Sequence, residues 1–88
     1  MDKTEIKVKV KELLYDQAGY SYVQDEFVKD GSDDVLSKPL QDLHFDSLDM
    51  VVICMDVEDE FGIEVPDEDA ESWRTAQDII DCVAKYKA

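Results

Sequence analysis

The chain has 88 residues, 23 of them Asp or Glu against nine Lys and Arg, for a formal net charge of −14. That length makes one small domain, residues 1–88, with a modest core and little room for a buried active site. So acidic a surface repels phosphates and anionic headgroups and excludes nucleic acid; the complementary partner is a protein with a basic docking patch.

Thr4 or Asp2 caps a first helix in which Ile6, Val10, Leu13 and Leu14 form one apolar stripe, running to about Gln17 and stopping before Gly19. Residues 19–45 follow as a long connection. Tyr20, Tyr22, Val23, Phe27 and Val28 make it too apolar for a free linker, so several of them are expected to fold back on the core. A short helix across Gln24 to Lys29 fits this stretch, the run Lys29 to Asp34 reads as a turn, and Pro39 sets an extended entry into Leu40 and Leu43.

From Ser47 to Phe61 the chain is dense in apolar residues, with no breaker before Gly62. That is too long for an ordinary strand, so it reads as a helix. A helix this apolar in so small a domain is either central or shows part of its apolar surface to another molecule. Pro66-Asp67 opens a short third helix through about Trp73. Thr75 to Asp78 has capping-box spacing and starts a last helix with Ala76, Ile79, Ile80, Val83 and Ala84 on one stripe. The expected architecture is all-α: a small four-helix bundle, three main helices plus a short third one, with a long loop between the first and second.

Charge is distributed unevenly. Lys3, Lys7, Lys9 and Lys11 crowd the start, whereas from Asp46 to Asp81 Arg74 is the sole basic side chain, so the second half is the expected docking face. No apolar run is long enough to span a membrane and no signal-peptide pattern is present. Cys54 and Cys82 sit at core-like helix positions and read as reduced thiols, so a soluble, cytoplasmic protein is expected; a monomer is expected as well.

Among candidate sites, Ser47 and His44 lack the third group, oxyanion hole and pocket of a hydrolase, so no catalytic residue is assigned. His44, Cys54 and Cys82 lack zinc-site spacing, and no calcium-loop frame survives at Gly19, Gly31 or Gly62, so no metal is expected. Asp46-Ser47-Leu48 remains. On its own, an Asp-Ser pair before a helix is a cap. With Asp46 as the cap, however, the Ser47 hydroxyl lies in the first turn, where a phosphodiester would meet free N–H groups and the positive end of the helix dipole. Asp46 and Asp49 oppose such a phosphate by like-charge repulsion.

The segments Phe45 to Val51 and Asp56 to Glu71, with Thr75, Gln77, Ile80 and Asp81 beyond them, closely resemble the acyl carrier proteins of bacterial fatty-acid synthesis. The resemblance covers about the last half of the chain. It implies a carrier rather than an enzyme. Ser47 would hold 4'-phosphopantetheine, installed from coenzyme A by a separate magnesium-dependent phosphopantetheinyl transferase. The arm's thiol would deliver acyl groups to acyl-transferring and chain-elongating enzymes of fatty-acid synthesis or a related specialised acyl or polyketide pathway. The resemblance further implies a docking face of Asp46, Leu48, Asp49, Val51, Met55, Asp56 and Glu60, and an acyl cavity bordered by Cys54, Val57, Ala70, Trp73 and Ile79. Three features depart from the usual pattern. His44 replaces the Gly of Leu-Gly-x-Asp-Ser-Leu, the connection over residues 19–39 is long and aromatic, and Trp73 and Ile79 are bulky for a cavity wall. These departures imply a specialised carrier with poor shelter for long chains. The alternative is an acidic interaction module of the same fold that works by docking without a prosthetic group.

Overall fold

In the computed structural model, which describes residues 2–28 and 33–87, Asp2 begins the first helix: its carboxylate accepts the N–H of Glu5 at 2.9 Å, and α1 runs Lys3–Gln17. Ile6, Val10 and Leu14, one per turn, are buried, while Leu13 packs half-buried at the edge of that stripe. The helix closes at Ala18, whose N–H bonds the carbonyls of Leu14 and Tyr15.

The long connection is ordered by its own apolar residues. It holds a helix α2, Ser21–Val28, that buries Val23 and Phe27 and packs on α1. The helix expected here begins at Ser21 rather than Gln24. Tyr20 supplies the reason, since its carbonyl accepts from the N–H groups of Val23 and Gln24 and so starts the turn earlier. The turn expected from Lys29 falls largely on residues 29–32, outside the described residues. Two 3-10 turns follow, Asp34–Ser37 and Leu40–Leu43, burying Val35, Leu36, Leu40 and Leu43. Between them Pro39 is extended as expected (φ −58°, ψ 132°) and forms an isolated antiparallel bridge with Thr75. The Leu40 N–H donates to the Arg74 carbonyl at 2.8 Å, so the chain just before the candidate serine is tied to the chain just before the last helix.

Helix α3 spans Ser47–Phe61, as expected, and ends at Gly62 in the left-handed region (φ 64°), a conformation glycine adopts without steric penalty. Helix α4 is Asp67–Ser72, opened by Pro66, with Trp73 just past its end. The capping box at the start of α5, Ala76–Lys87, is present: Thr75 Oγ1 accepts the Asp78 N–H at 3.2 Å, and an Asp78 carboxylate oxygen accepts the Thr75 N–H at 3.1 Å. The described residues contain helices and no strand. Three long helices and the short α4 form the expected bundle, and α2 is a fifth helix carried by the connection. Helix α1 is the hub, in contact with α2, α3 and α5. The apolar helix α3 is not wrapped all round. It buries Ile53, Val57 and Phe61 and leaves Leu48, Val51, Val52 and Met55 exposed.

Candidate functional site

The start of α3 is fixed from three sides. Asp46 Oδ1 accepts the Asp49 N–H at 2.9 Å and Asp49 Oδ2 accepts the Asp46 N–H at 3.0 Å, a reciprocal capping box. The other Asp49 oxygen accepts from the Gln17 side chain at 2.9 Å, locking the cap to the end of α1. Hydrogen bonds from the Asp46 N–H and then from Gln17 favour the charged form and hold the Asp49 carboxyl below its ordinary range.

Ser47 is therefore the first residue of α3, as expected from the cap. It is exposed, and among the described residues its hydroxyl makes no hydrogen bond. The first-turn N–H groups of Ser47 and Leu48 likewise have no acceptor, as the geometry of a helix start requires. Ser47 stands between two open grooves. One, of about 700 Å³, is walled by Tyr20, Pro39, Leu40, His44 and Phe45. The other, of about 530 Å³, lies between α3 and α4 along Val51, Cys54, Met55, Val65 and Ala70. Met50, Trp73 and Arg74 line both. These residues fit a phosphodiester on Ser47: a free hydroxyl, unpaired N–H donors at the positive end of a helix, and open grooves on both sides for an arm.

The approach to Ser47 carries an unusual backbone. His44 sits at φ 69°, ψ 24°, and is the one non-glycine among the described residues with positive φ. The loop thus keeps a shape that glycine adopts readily, although the residue is histidine. The aromatic connection supplies the compensation. The His44 ring packs on Tyr20 with centroids 4.6 Å apart and meets Tyr22 edge-on at 5.9 Å, and its Nε2 is hydrogen-bonded to the Tyr22 hydroxyl. The substituted glycine and the aromatic loop, read separately in the sequence, are one cluster in the structure.

The residues expected at a docking face divide between exposed positions and ones engaged with α1 or the cap. Leu48, Val51 and Met55 are exposed, Leu48 most of all at 76%. Asp46 is exposed and Asp56 half-exposed, whereas Asp49 is engaged in the cap. Glu60 departs from a free docking carboxylate, because it pairs with Lys9 of α1 at 2.8 Å and raises that lysine's pKa. The expected cavity residues divide. Cys54, Ala70 and Trp73 line the α3–α4 groove. Val57 and Ile79 are 0% exposed and border neither groove at Ser47. Both belong to the buried core, as does Trp73, which also lines the two grooves. Trp73 carries a buried indole N–H that finds no hydrogen-bond acceptor among the described residues. Burial pushes the Cys82 thiol up, and the Trp73 N–H, near that sulfur but outside hydrogen-bonding geometry, opposes the rise. Sequence reasoning missed Gln17, Tyr20 and Tyr22 as supports of the site. The available signal was the histidine itself, since a side chain at a glycine-type position needs something to hold it.

A family profile described as "Phosphopantetheine attachment site" matches residues 21–83, which include Ser47, the α3–α4 groove and all of the other groove's wall but Tyr20. Curated relatives match over nearly the whole chain. The acyl carrier protein of Syntrophobacter fumaroxidans is 41% identical over 88 residues, covering 100% of this chain and 99% of the relative. That of Thermosynechococcus vestitus is 40% identical over 83 residues (94% and 93%), and that of Rubrobacter xylanophilus 34% over 87 residues (99% and 98%). The chain belongs to the acyl carrier protein family. As in that family, its cofactor is covalently attached 4'-phosphopantetheine, and its members are carriers rather than catalysts. No described helix of this carrier is long and apolar enough to cross a membrane.

Proposed function

We propose that Ser47 is the attachment point of the 4'-phosphopantetheine arm, and that the chain delivers acyl groups between enzymes of fatty-acid synthesis or a related specialised acyl pathway. The observation that carries this reading is the state of Ser47: an exposed, unbonded hydroxyl at the first position of a rigidly capped helix, between two grooves. When bound, the arm supplies a thiol that carries acyl groups as thioesters. The chain's own residues do the rest. The capping box holds the hydroxyl outward, the unpaired N–H groups of Ser47 and Leu48 face the place a phosphodiester would take, and Leu48, Val51, Val52 and Met55 offer an apolar patch to partners. Around that patch Asp56, Asp59, Asp67 and Glu71 carry no ion pair in the described residues, which suits enzymes with basic docking patches, the transferase among them.

The test is direct. Purified protein is incubated with coenzyme A, magnesium and a broad-specificity phosphopantetheinyl transferase, and intact masses are taken. Wild type should gain the mass of one arm and Ser47→Ala none. An unmodified wild type, or equal labelling of Ser47→Ala, refutes the assignment.

A further inference from the structure

Arg74 is the feature that the carrier reading leaves unused. It lines both grooves that meet at Ser47, in the stretch from Asp46 to Asp81 where it is the only basic residue. Every described lysine except Lys87 is ion-paired: Lys3 with Asp81, Lys7 and Lys11 with Asp33, Lys9 with Glu60, Lys38 with Glu26 and Lys85 with Asp69. Among the described residues Arg74 has no such partner, in a chain with 23 Asp and Glu. Its Nη1 donates to two backbone carbonyls, Glu71 at 2.7 Å and Trp73 at 3.2 Å, which anchors one edge of the guanidinium at the end of α4. Nε and Nη2 have no partner among the described residues. The nearby Asp78 carboxylate is turned the other way, accepting the backbone N–H groups of Arg74 and Thr75.

An anchored guanidinium with open donors beside a groove is a binding group for an oxyanion. The chemistry at Ser47 calls for one. A phosphodiester there stands next to Asp46 and Asp49, both fixed by the capping box, and the first-turn N–H groups offset only part of that repulsion. Resting on the assignment of the arm to Ser47, we infer that Arg74 is the cationic contact for an oxyanion carried on the arm. Two sources share that chemistry: the phosphodiester itself, and the free carboxylate of a dicarboxylic acyl group folded back along the groove. The carbonyl anchors position the guanidinium, so a lysine, with a single ammonium on a flexible stem, substitutes only in part.

The contact is read by 31P resonance of the holo protein and by the 1H–15N signal and exchange rate of the Arg74 Nε–H in apo, holo and acyl-holo forms. Acylation uses a dicarboxylic half-thioester and its methyl ester. If the phosphodiester is bound, conversion from apo to holo shifts the Arg74 signal and slows its exchange. Arg74→Gln then moves the 31P resonance, Arg74→Lys restores part of the change, and about 1 M salt, with a Debye length of about 3 Å, shrinks it. If the carboxylate is bound, the Arg74 change is seen with the half-thioester and is absent with its methyl ester. An arm shown by mass to be on Ser47, with Arg74 and 31P signals unchanged in every form, overturns the inference while leaving the carrier assignment standing. A failed attachment, seen first in the mass, removes both.

Discussion

Replacing His44 by glycine separates backbone strain from side-chain support at the entry to the site. In the left-handed region a non-glycine residue is strained by about 1–2 kcal/mol, and histidine, which visits that region more readily than most, lies at the lower end. Glycine removes this strain, but it adds chain entropy to the unfolded state worth about 0.4–1 kcal/mol. It also deletes the ring contacts to Tyr20 and Tyr22 and the Tyr22 hydroxyl bond. Those are worth about 0.5–1.5 kcal/mol for aromatic packing and about 0.5–1 kcal/mol for an exposed hydrogen bond. The terms sum to a loss of about 0.4–2.5 kcal/mol for His44→Gly in wild type, each kcal/mol worth about 4–8 °C in Tm for a domain of this size. With Tyr20→Leu and Tyr22→Leu already present the ring contacts are gone, and His44→Gly becomes neutral. The coupling in this cycle is thus about 1–2.5 kcal/mol, the ring and hydrogen-bond terms together, read by urea unfolding of wild type and the three variants. A His44→Gly variant more stable than wild type, or additive effects in the cycle, refutes the claim that the aromatic loop offsets the histidine.

Four further outcomes are expected. Because the Asp49 carboxyl is held low in the folded state, its contribution is present above the unfolded value of about 3.9 and is lost as pH falls through the lowered folded value. The Tm gap between wild type and Asp49→Asn should therefore close on acidification, and a gap constant with pH contradicts this. Trp73→Ala should cost about 3–5 kcal/mol, while Trp73→Phe should cost far less because it removes an unpartnered buried donor whose burden is about 1–3 kcal/mol; equal losses in chemical denaturation would show the N–H to be satisfied. With Trp73 buried at the grooves and Val57 and Ile79 sealed in the core, attaching successively longer acyl chains should stop raising the Tm early in the series, and a steady rise to long chains counts against a small acyl shelter. Finally, with a net charge of −14, salt or divalent cations should raise the Tm by screening self-repulsion, which a scan of melting temperature against ionic strength checks.

The parts of this fold legible in the sequence are those governed by local rules. Asp2, Asp46, Thr75 with Asp78, Gly62 and Pro66 mark helix ends through bonds within four residues of themselves, and helix α3 ends where its glycine says. Ser47 was legible for the same reason, since its position follows from the cap one residue earlier. What sequence reading could not supply depends on contacts across the chain. Val57 and Ile79 share their spacing with groove residues, yet three-dimensional packing decides which apolar side chains border a groove and which lie beneath it. Glu60 reads as one more solvent-facing acid until Lys9, 51 residues away, is brought against it. The Tyr20–Tyr22–His44 cluster is likewise non-local, joining residues 22 and 24 positions apart.

The distribution of charge gives the site its polarity. The four lysines of α1 are paired internally, with Asp33, Glu60 and Asp81, and tie other elements to the hub helix. Asp33 shows how far this goes: hydrogen bonds from Lys7 and Lys11 together pull its carboxyl below the ordinary range. Exposed pairs of this kind add little stability one by one. Their larger effect is on the field. Each matches a lysine locally to a carboxylate of its own, so the carboxylates of α3 and α4 that have no such partner among the described residues remain as the excess, on the side where Leu48, Val51, Val52 and Met55 are bare. Electrostatics then acts at the range of a Debye length to orient a basic partner, and the apolar patch acts at contact, where desolvation adds affinity without requiring each carboxylate to be matched. Arg74 stands out against that field: among the described residues it pairs with no carboxylate, and on the proposal that Ser47 holds the arm it lies where the modified carrier gains a further negative charge.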